Sequence, residues 1–203
     1  MSFVHLATTV SFPSSTAGFA PLAVGFFGLG TGYLIYGPQE LFAFPGREKR
    51  VDLATGIWGI WMPGFMQFVA GTYLFVSLVW FGTLNDPPLY MAALAFTAYG
   101  VHWWAIGLVR AFGGDAKPSS FMSVAFTVIS ILGLFVFFHA GDAPVGWLFV
   151  GLSLIYISDF FASLGSGTGV RALGLFHLLT GWWLMYLTVA TVLNFVSGYS
   201  LPL

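Results

Sequence analysis

A chain of 203 residues with six Lys or Arg, seven Asp or Glu and 58% hydrophobic residues has a mean hydropathy of +0.91. That is too little charge for a water-soluble domain, in which roughly a quarter of residues are charged; the net charge of −1 says nothing about partners, and no basic stripe exists for nucleic acid. Cysteine is absent, which removes disulfides, thiolate metal sites and cysteine nucleophiles together.

A helix that crosses a bilayer needs about 20 consecutive apolar residues, and six such stretches occur, at roughly 18–36, 53–82, 88–112, 119–140, 144–165 and 169–196. The first carries Gly25, Gly28 and Gly32, small residues that let helix backbones approach in lipid. Gly37-Pro38 marks the turn after it, and Phe44-Pro45-Gly46 leads into the charged run Arg47-Glu48-Lys49-Arg50. The second stretch holds Gly56, Gly59, Gly64 and Gly71, and its Pro63-Gly64 pair predicts a kink or break, because proline removes an intrahelical hydrogen bond. Asn85-Asp86-Pro87-Pro88, Gly113-Gly114-Asp115, Gly141-Asp142-Ala143-Pro144 and Gly165 to Gly169 separate the remaining stretches. The first 17 residues have no charged n-region, so no cleaved signal is expected.

Open strand edges cannot be satisfied in lipid, which leaves helices or a closed barrel. Residues 129–138 are apolar nearly throughout and lack the alternation of a barrel strand. The expectation is an all-α integral membrane protein, a six-transmembrane-helix bundle forming one domain over 1–203. Every Lys and Arg lies in or beside the loops after the first, third and fifth spans, which by the positive-inside rule puts both termini outside.

Few polar groups fall inside the spans. No lysine is available for a Schiff base, and His102 and His177 lack the second pair at matching depth that membrane haems use. An integral-membrane enzyme would need convergent His, Asp or Glu ligands that the spans do not supply, so no catalytic residue, metal or cofactor is expected. Asp159 is the costliest side chain, since a charge at a helix centre is disfavoured by about 2.5–3.5 kcal/mol. It is either part of a polar path or a structural carboxyl bonded to His102, His177 or Arg171. Leu152, Tyr156, Asp159 and Ser163 share one helical stripe, and Ala95, Tyr99, His102 and Ile106 share another.

Ala20-Pro21-Leu22, Ala95-Phe96-Thr97-Ala98-Tyr99-Gly100 with Trp103, the Gly64, Gln67, Ala70, Gly71 spacing, and Gly174, Gly181, Tyr186 and Val192-Leu193-Asn194 occur in one order along the chain. In these the sequence resembles the acetate uptake transporter family. The family's Asn-Pro-Ala-Pro-Leu-Gly-Leu segment is matched only at its Ala-Pro-Leu portion; the connection from Gln67 to Tyr99 is longer than the family's, and the basic residues lie on the opposite set of loops. The resemblance implies six-helix subunits assembled as hexamers in the plasma membrane, the bacterial inner membrane, each with a path for acetate, succinate or a related small carboxylic acid. It implies a hydrophobic gate at Phe27, Tyr99 and Leu152, and it makes Ala20, Pro21, Leu22, Gln67 and Thr97 candidate substrate contacts. Asp159, His102 and His177 are the candidate proton relay. The alternatives are a channel for a small neutral solute such as urea, an amide or ammonia, and an accessory subunit of a membrane complex.

Overall fold

The computed structural model describes residues 20–203, and every regular element among them is a helix. There are six: α1 (Leu22–Phe42), α2 (Lys49–Trp80), α3 (Pro88–Phe112), α4 (Lys117–His139), α5 (Ala143–Ser163) and α6 (Gly167–Ser197). Helices α2 to α6 are long and apolar enough to cross a membrane. Helix α1 is of comparable length, 21 residues, but ends in Gly37, Pro38, Gln39 and Glu40, a polar stretch that packs inside the bundle.

That polar stretch corrects the sequence reading. The Gly37-Pro38 pair is not a turn: α1 runs through it and stops at Ala43, whose φ of 55° is left-handed. Packing keeps the helix going, because Gly37 lies against α6, where an ideal Cβ would be 3.1 Å from the Gly174 carbonyl oxygen. Helix α2 begins four residues earlier than expected, at Lys49, since its first turn is largely exposed, where charged side chains stay solvated, and holds Asp52, whose charge suits a helix N-terminus. The other boundaries fall within two residues of expectation, and the expected start of the first span, at residue 18, lies outside the described residues.

At Pro63-Gly64 helix α2 widens into a π-helical turn over Ile60–Phe65 and continues. Pro63 has no N–H for the carbonyl four residues back, and an inserted residue absorbs the mismatch. The Ile60 carbonyl in this turn accepts the indole N–H of Trp104 at 3.1 Å.

Each helix packs on its sequence neighbours and α6 closes on α1, so the six form a ring. The α2–α3 seam is a close backbone contact. An ideal Cβ on Gly107 would lie 2.6 Å from the Gly56 carbonyl oxygen, and one on Gly100 would lie 2.6 Å from the Phe68 nitrogen. Large side chains such as Phe121, Phe135, Leu179 and Trp182 point outward, which suits a multi-pass protein whose solvent is hydrocarbon.

Candidate functional site

Inside the ring are two cavities, one from each end, with no residue in common. The alternate helices α1, α3 and α5 line both. Each crosses from one cavity to the other within about a turn: Leu29 to Tyr33, Tyr99 to His102, and Leu152 to Tyr156.

The first cavity, about 210 Å³, opens on the face where α1, α3 and α5 begin. Its wall is almost wholly apolar, from Phe26, Leu29, Phe96, Phe149 and Leu152, with Tyr99 at its inner end and the amide of Gln67 from α2 as its buried polar group. Asp86 and Asp142 stand at its mouth. The Asp142 carboxylate caps α5 by accepting the Val145 N–H at 3.0 Å. Burial pushes its pKa above the usual carboxylate range; the Val145 bond opposes this and the charge of Asp86 adds to it.

Between the cavities the interior is closed. Leu29, Leu152, Tyr33, Tyr99 and Tyr156 are among the largest fully buried side chains. The Tyr99 and Tyr156 rings stack at 5.5 Å, and Phe126 packs on both. Each phenol has a polar anchor outside the apolar contact: Tyr99 pairs with Ser130 Oγ at 2.9 Å, and Tyr156 with His102 Nδ1 at 3.2 Å.

The second cavity is a polar vestibule of about 430 Å³ at the opposite end. Arg110 from α3 donates to Asp52 of α2 at 3.1 Å and to the Gln39 side chain of α1, and lies over the Tyr36 ring. Arg47 donates to the same aspartate at 3.0 Å. Deeper in, Glu40 pairs with His177 Nδ1 at 2.6 Å, and the imidazole stacks on Tyr33. Asp159 accepts from Ser123 at 2.5 Å and from Ser163 at 3.3 Å. Those serines, rather than His102, His177 or Arg171, satisfy its carboxyl by hydrogen bonding.

Of the residues singled out from sequence, Tyr99, Leu152, Leu22 and Gln67 line the first cavity, and His102, His177 and Asp159 line the vestibule. Phe27 does not join them. It is 40% exposed on the outer face of α1, whereas Phe26 is 3% exposed and lines the first cavity. One residue is about 100° of helix rotation, so it is Phe26, not Phe27, that α1 presents to the first cavity. Ala20 packs against the core, Pro21 precedes the first turn of α1, and Thr97 bonds the Ala93 carbonyl at 2.8 Å; none of the three lines a cavity. Glu40, Gln39 and Arg110 are vestibule residues that sequence reasoning missed. For the two on α1 the signal was the spacing Phe26, Leu29, Tyr33, Tyr36, Glu40, which continues one face past Gly37-Pro38; for Arg110 it was the continuation of the Ala95, Tyr99, His102, Ile106 stripe on α3.

Among the described residues, the buried side-chain nitrogens and oxygens without a hydrogen-bond partner are Gln67 Nε2 and Oε1, His102 Nε2 and Trp103 Nε1. All belong to residues that line the two cavities. Buried polar groups are normally paired, so the exceptions mark where the interior has been left open to something else.

No protein-family model matches the chain, and no curated protein matches it. A solved structure does: that of the bacterial acetate channel SatP, with a TM-score of 0.70 over 87% of this chain and 93% of that one, at 19% identity. That protein is a channel rather than an enzyme. The likeness agrees with the resemblance carried by the sequence motifs, and at this identity it shows the fold: the chain has the helical membrane architecture of that acetate channel.

Proposed function

We propose that the chain conducts acetate or a similarly small monocarboxylic acid across the plasma membrane, through a path within each subunit. The observation that carries this reading is the pair of cavities that approach each other from opposite ends and are separated by a buried layer of Leu29, Tyr33, Tyr99, Leu152 and Tyr156. The fold shared with an acetate channel supports the substrate class. Phe26, Tyr99 and Leu152 form the hydrophobic gate. A constriction of such side chains excludes water, and a bare carboxylate passing it loses hydration without replacement, at a cost of several kcal/mol. The neutral acid passes more cheaply, so conduction rises as external pH falls.

Asp159, His102 and His177 face the vestibule and are the groups that would take up the proton on the far side of the gate. The single bundle is the whole functional unit, and subunits assemble as hexamers. Labelled acetate uptake into proteoliposomes holding the purified chain, compared with protein-free vesicles, tests the reading. Protein-dependent uptake that grows with acidification is expected; uptake equal to that of empty vesicles at every pH removes it. A second reading, a conduit for a small neutral amide such as urea, is favoured by one observation: the first cavity has an amide and no cationic side chain in its wall. Uptake of labelled urea, and its competition with acetate, separates the two.

A further inference from the structure

We infer that Gln67 is the station that reads the protonation state of the solute, pairing through its amide with an uncharged carboxylic acid or a primary amide and rejecting the carboxylate. This rests on the conduit reading above and deepens it. Gln67 is fully buried, its Nε2 and Oε1 both lack partners, and it lines the first cavity.

The chemistry follows from the donor and acceptor pattern. A carboxamide presents an N–H and a C=O side by side. A neutral carboxylic acid presents O–H and C=O in the same arrangement, so the two close a ring of two antiparallel hydrogen bonds. Acetamide does the same with its own N–H and C=O. A carboxylate offers two acceptors and no donor; it satisfies Nε2 and sets its second oxygen against Oε1. An unpaired group so deeply buried costs more than the bond gained.

The rest of the wall points the same way. The titratable groups lining this cavity are Asp86 and Asp142 at the mouth and Tyr99 at the inner end, and no Lys, Arg or His is among them. An anion therefore meets two carboxylates and no counter-charge. Helix N-termini attract anions, yet here few N–H groups are left for one: at α1, Pro21 has none and those of Leu22 and Val24 bond the Ala20 and Pro21 carbonyls. The side chain of Asp142 already caps α5, and α3 is preceded by Pro87 and opens with Pro88, neither of which has an N–H. The cationic side chains that line a cavity, the exposed Arg47 and the mostly buried Arg110, belong to the vestibule, as does His177.

The test uses the purified full chain in proteoliposomes, with labelled acetate at fixed mildly acidic pH and two unlabelled competitors of acetate's size. Acetamide carries the matching donor and acceptor; methanesulfonate is always an anion. Acetamide is expected to compete and methanesulfonate not. Gln67→Met, near in shape but apolar, is expected to weaken acetamide competition about tenfold, the worth of two ordinary hydrogen bonds. Gln67→Glu keeps the pairing only while its own carboxyl is protonated, and is expected to steepen the fall of acetate uptake with rising pH. Methanesulfonate competing as well as acetamide in the unaltered protein overturns the inference, as does undiminished acetamide competition in Gln67→Met. Either result leaves acetate conduction standing. If the chain instead carries labelled acetamide with the same dependence on Gln67 but no acetate, the amide-pairing station survives and the acetate reading falls.

Discussion

The two cavities differ in how their polar groups are used. On the face where α1, α3 and α5 begin, an apolar cavity holds one unpaired amide behind two carboxylates. At the other end, charged and polar side chains from α1, α2, α3 and α6 are joined in ion pairs and hydrogen bonds. The first region leaves polar capacity open; the second mostly consumes its own. The vestibule's charges are thus tied into the bundle as well as facing the second cavity, whereas the buried Gln67 amide makes no hydrogen bond to a neighbouring helix.

The largest effect expected from breaking this contrast is at Arg110. The guanidinium is 10% exposed and ties Asp52 and Gln39 together, so Arg110→Met leaves a partly buried carboxylate with only the exposed Arg47. Removing one partner of a buried pair costs roughly 3–5 kcal/mol, and the remaining exposure of Asp52, 20%, places the loss near the lower figure or below it. A fall in Tm in detergent reads it. Gln67→Met, at the other end, is expected to leave Tm unchanged or raise it.

Next in size are the gate substitutions. Leu152→Ala opens the layer between the regions and Phe26→Ala widens the first cavity in front of it; both are expected to change acetate flux severalfold, whereas Phe27→Ala, at the outer face, is expected to leave it within twofold. Equal effects of the two phenylalanines would put the gate elsewhere. Asp159→Asn is expected to flatten the dependence of uptake on vestibule-side pH while leaving folding intact, because the asparagine oxygen still accepts from Ser123 and its NH2 can donate to the Ser163 hydroxyl in place of the bond Ser163 now gives; a preserved pH profile removes Asp159 from proton uptake.

The smallest effect expected is at Asp142, and its sign is set by pH. Its folded pKa lies above the unfolded value because burial and Asp86 outweigh the Val145 bond. The folded state therefore holds the proton more tightly, and stability drops as pH rises through the interval between the two values. Asp142→Asn keeps a capping side chain and removes the charge, so it is expected to be slightly more stable than the unaltered protein at neutral pH and to have no advantage below the carboxylate range. Thermal unfolding at the two pH values checks the sign.

Much of the path was legible before the structure. The stripes Leu152, Tyr156, Asp159, Ser163 and Ala95, Tyr99, His102, Ile106 follow the helical period, and all eight residues line one cavity or the other. The six helices were visible because a hydrocarbon solvent leaves long apolar stretches and few ways to satisfy a backbone. Helix α1 was harder to read. Adjacent phenylalanines made the motif match and the buried face differ by one residue, and Gly37-Pro38 resembled a terminus because local propensity points to a break that packing against Gly174 overrides. Truncating α1 there hid Glu40 and its pairing with His177. The partners of Asp159 were illegible for another reason. Ser123 lies 36 residues away on α4, and nothing local to either residue specifies that the two helices meet at that level.

The central claim is that two cavities enter from opposite membrane faces and stop at a shared closed layer. The chain has no cysteine, so single introduced thiols can be read without background. Ala92 lines the first cavity and Ala162 the vestibule. Ala92→Cys and Ala162→Cys, each treated with a membrane-impermeant methanethiosulfonate reagent applied to one face at a time, are expected to react from opposite faces, and each from one face only. Both thiols reacting from the same face, or neither reacting from any, would contradict the account.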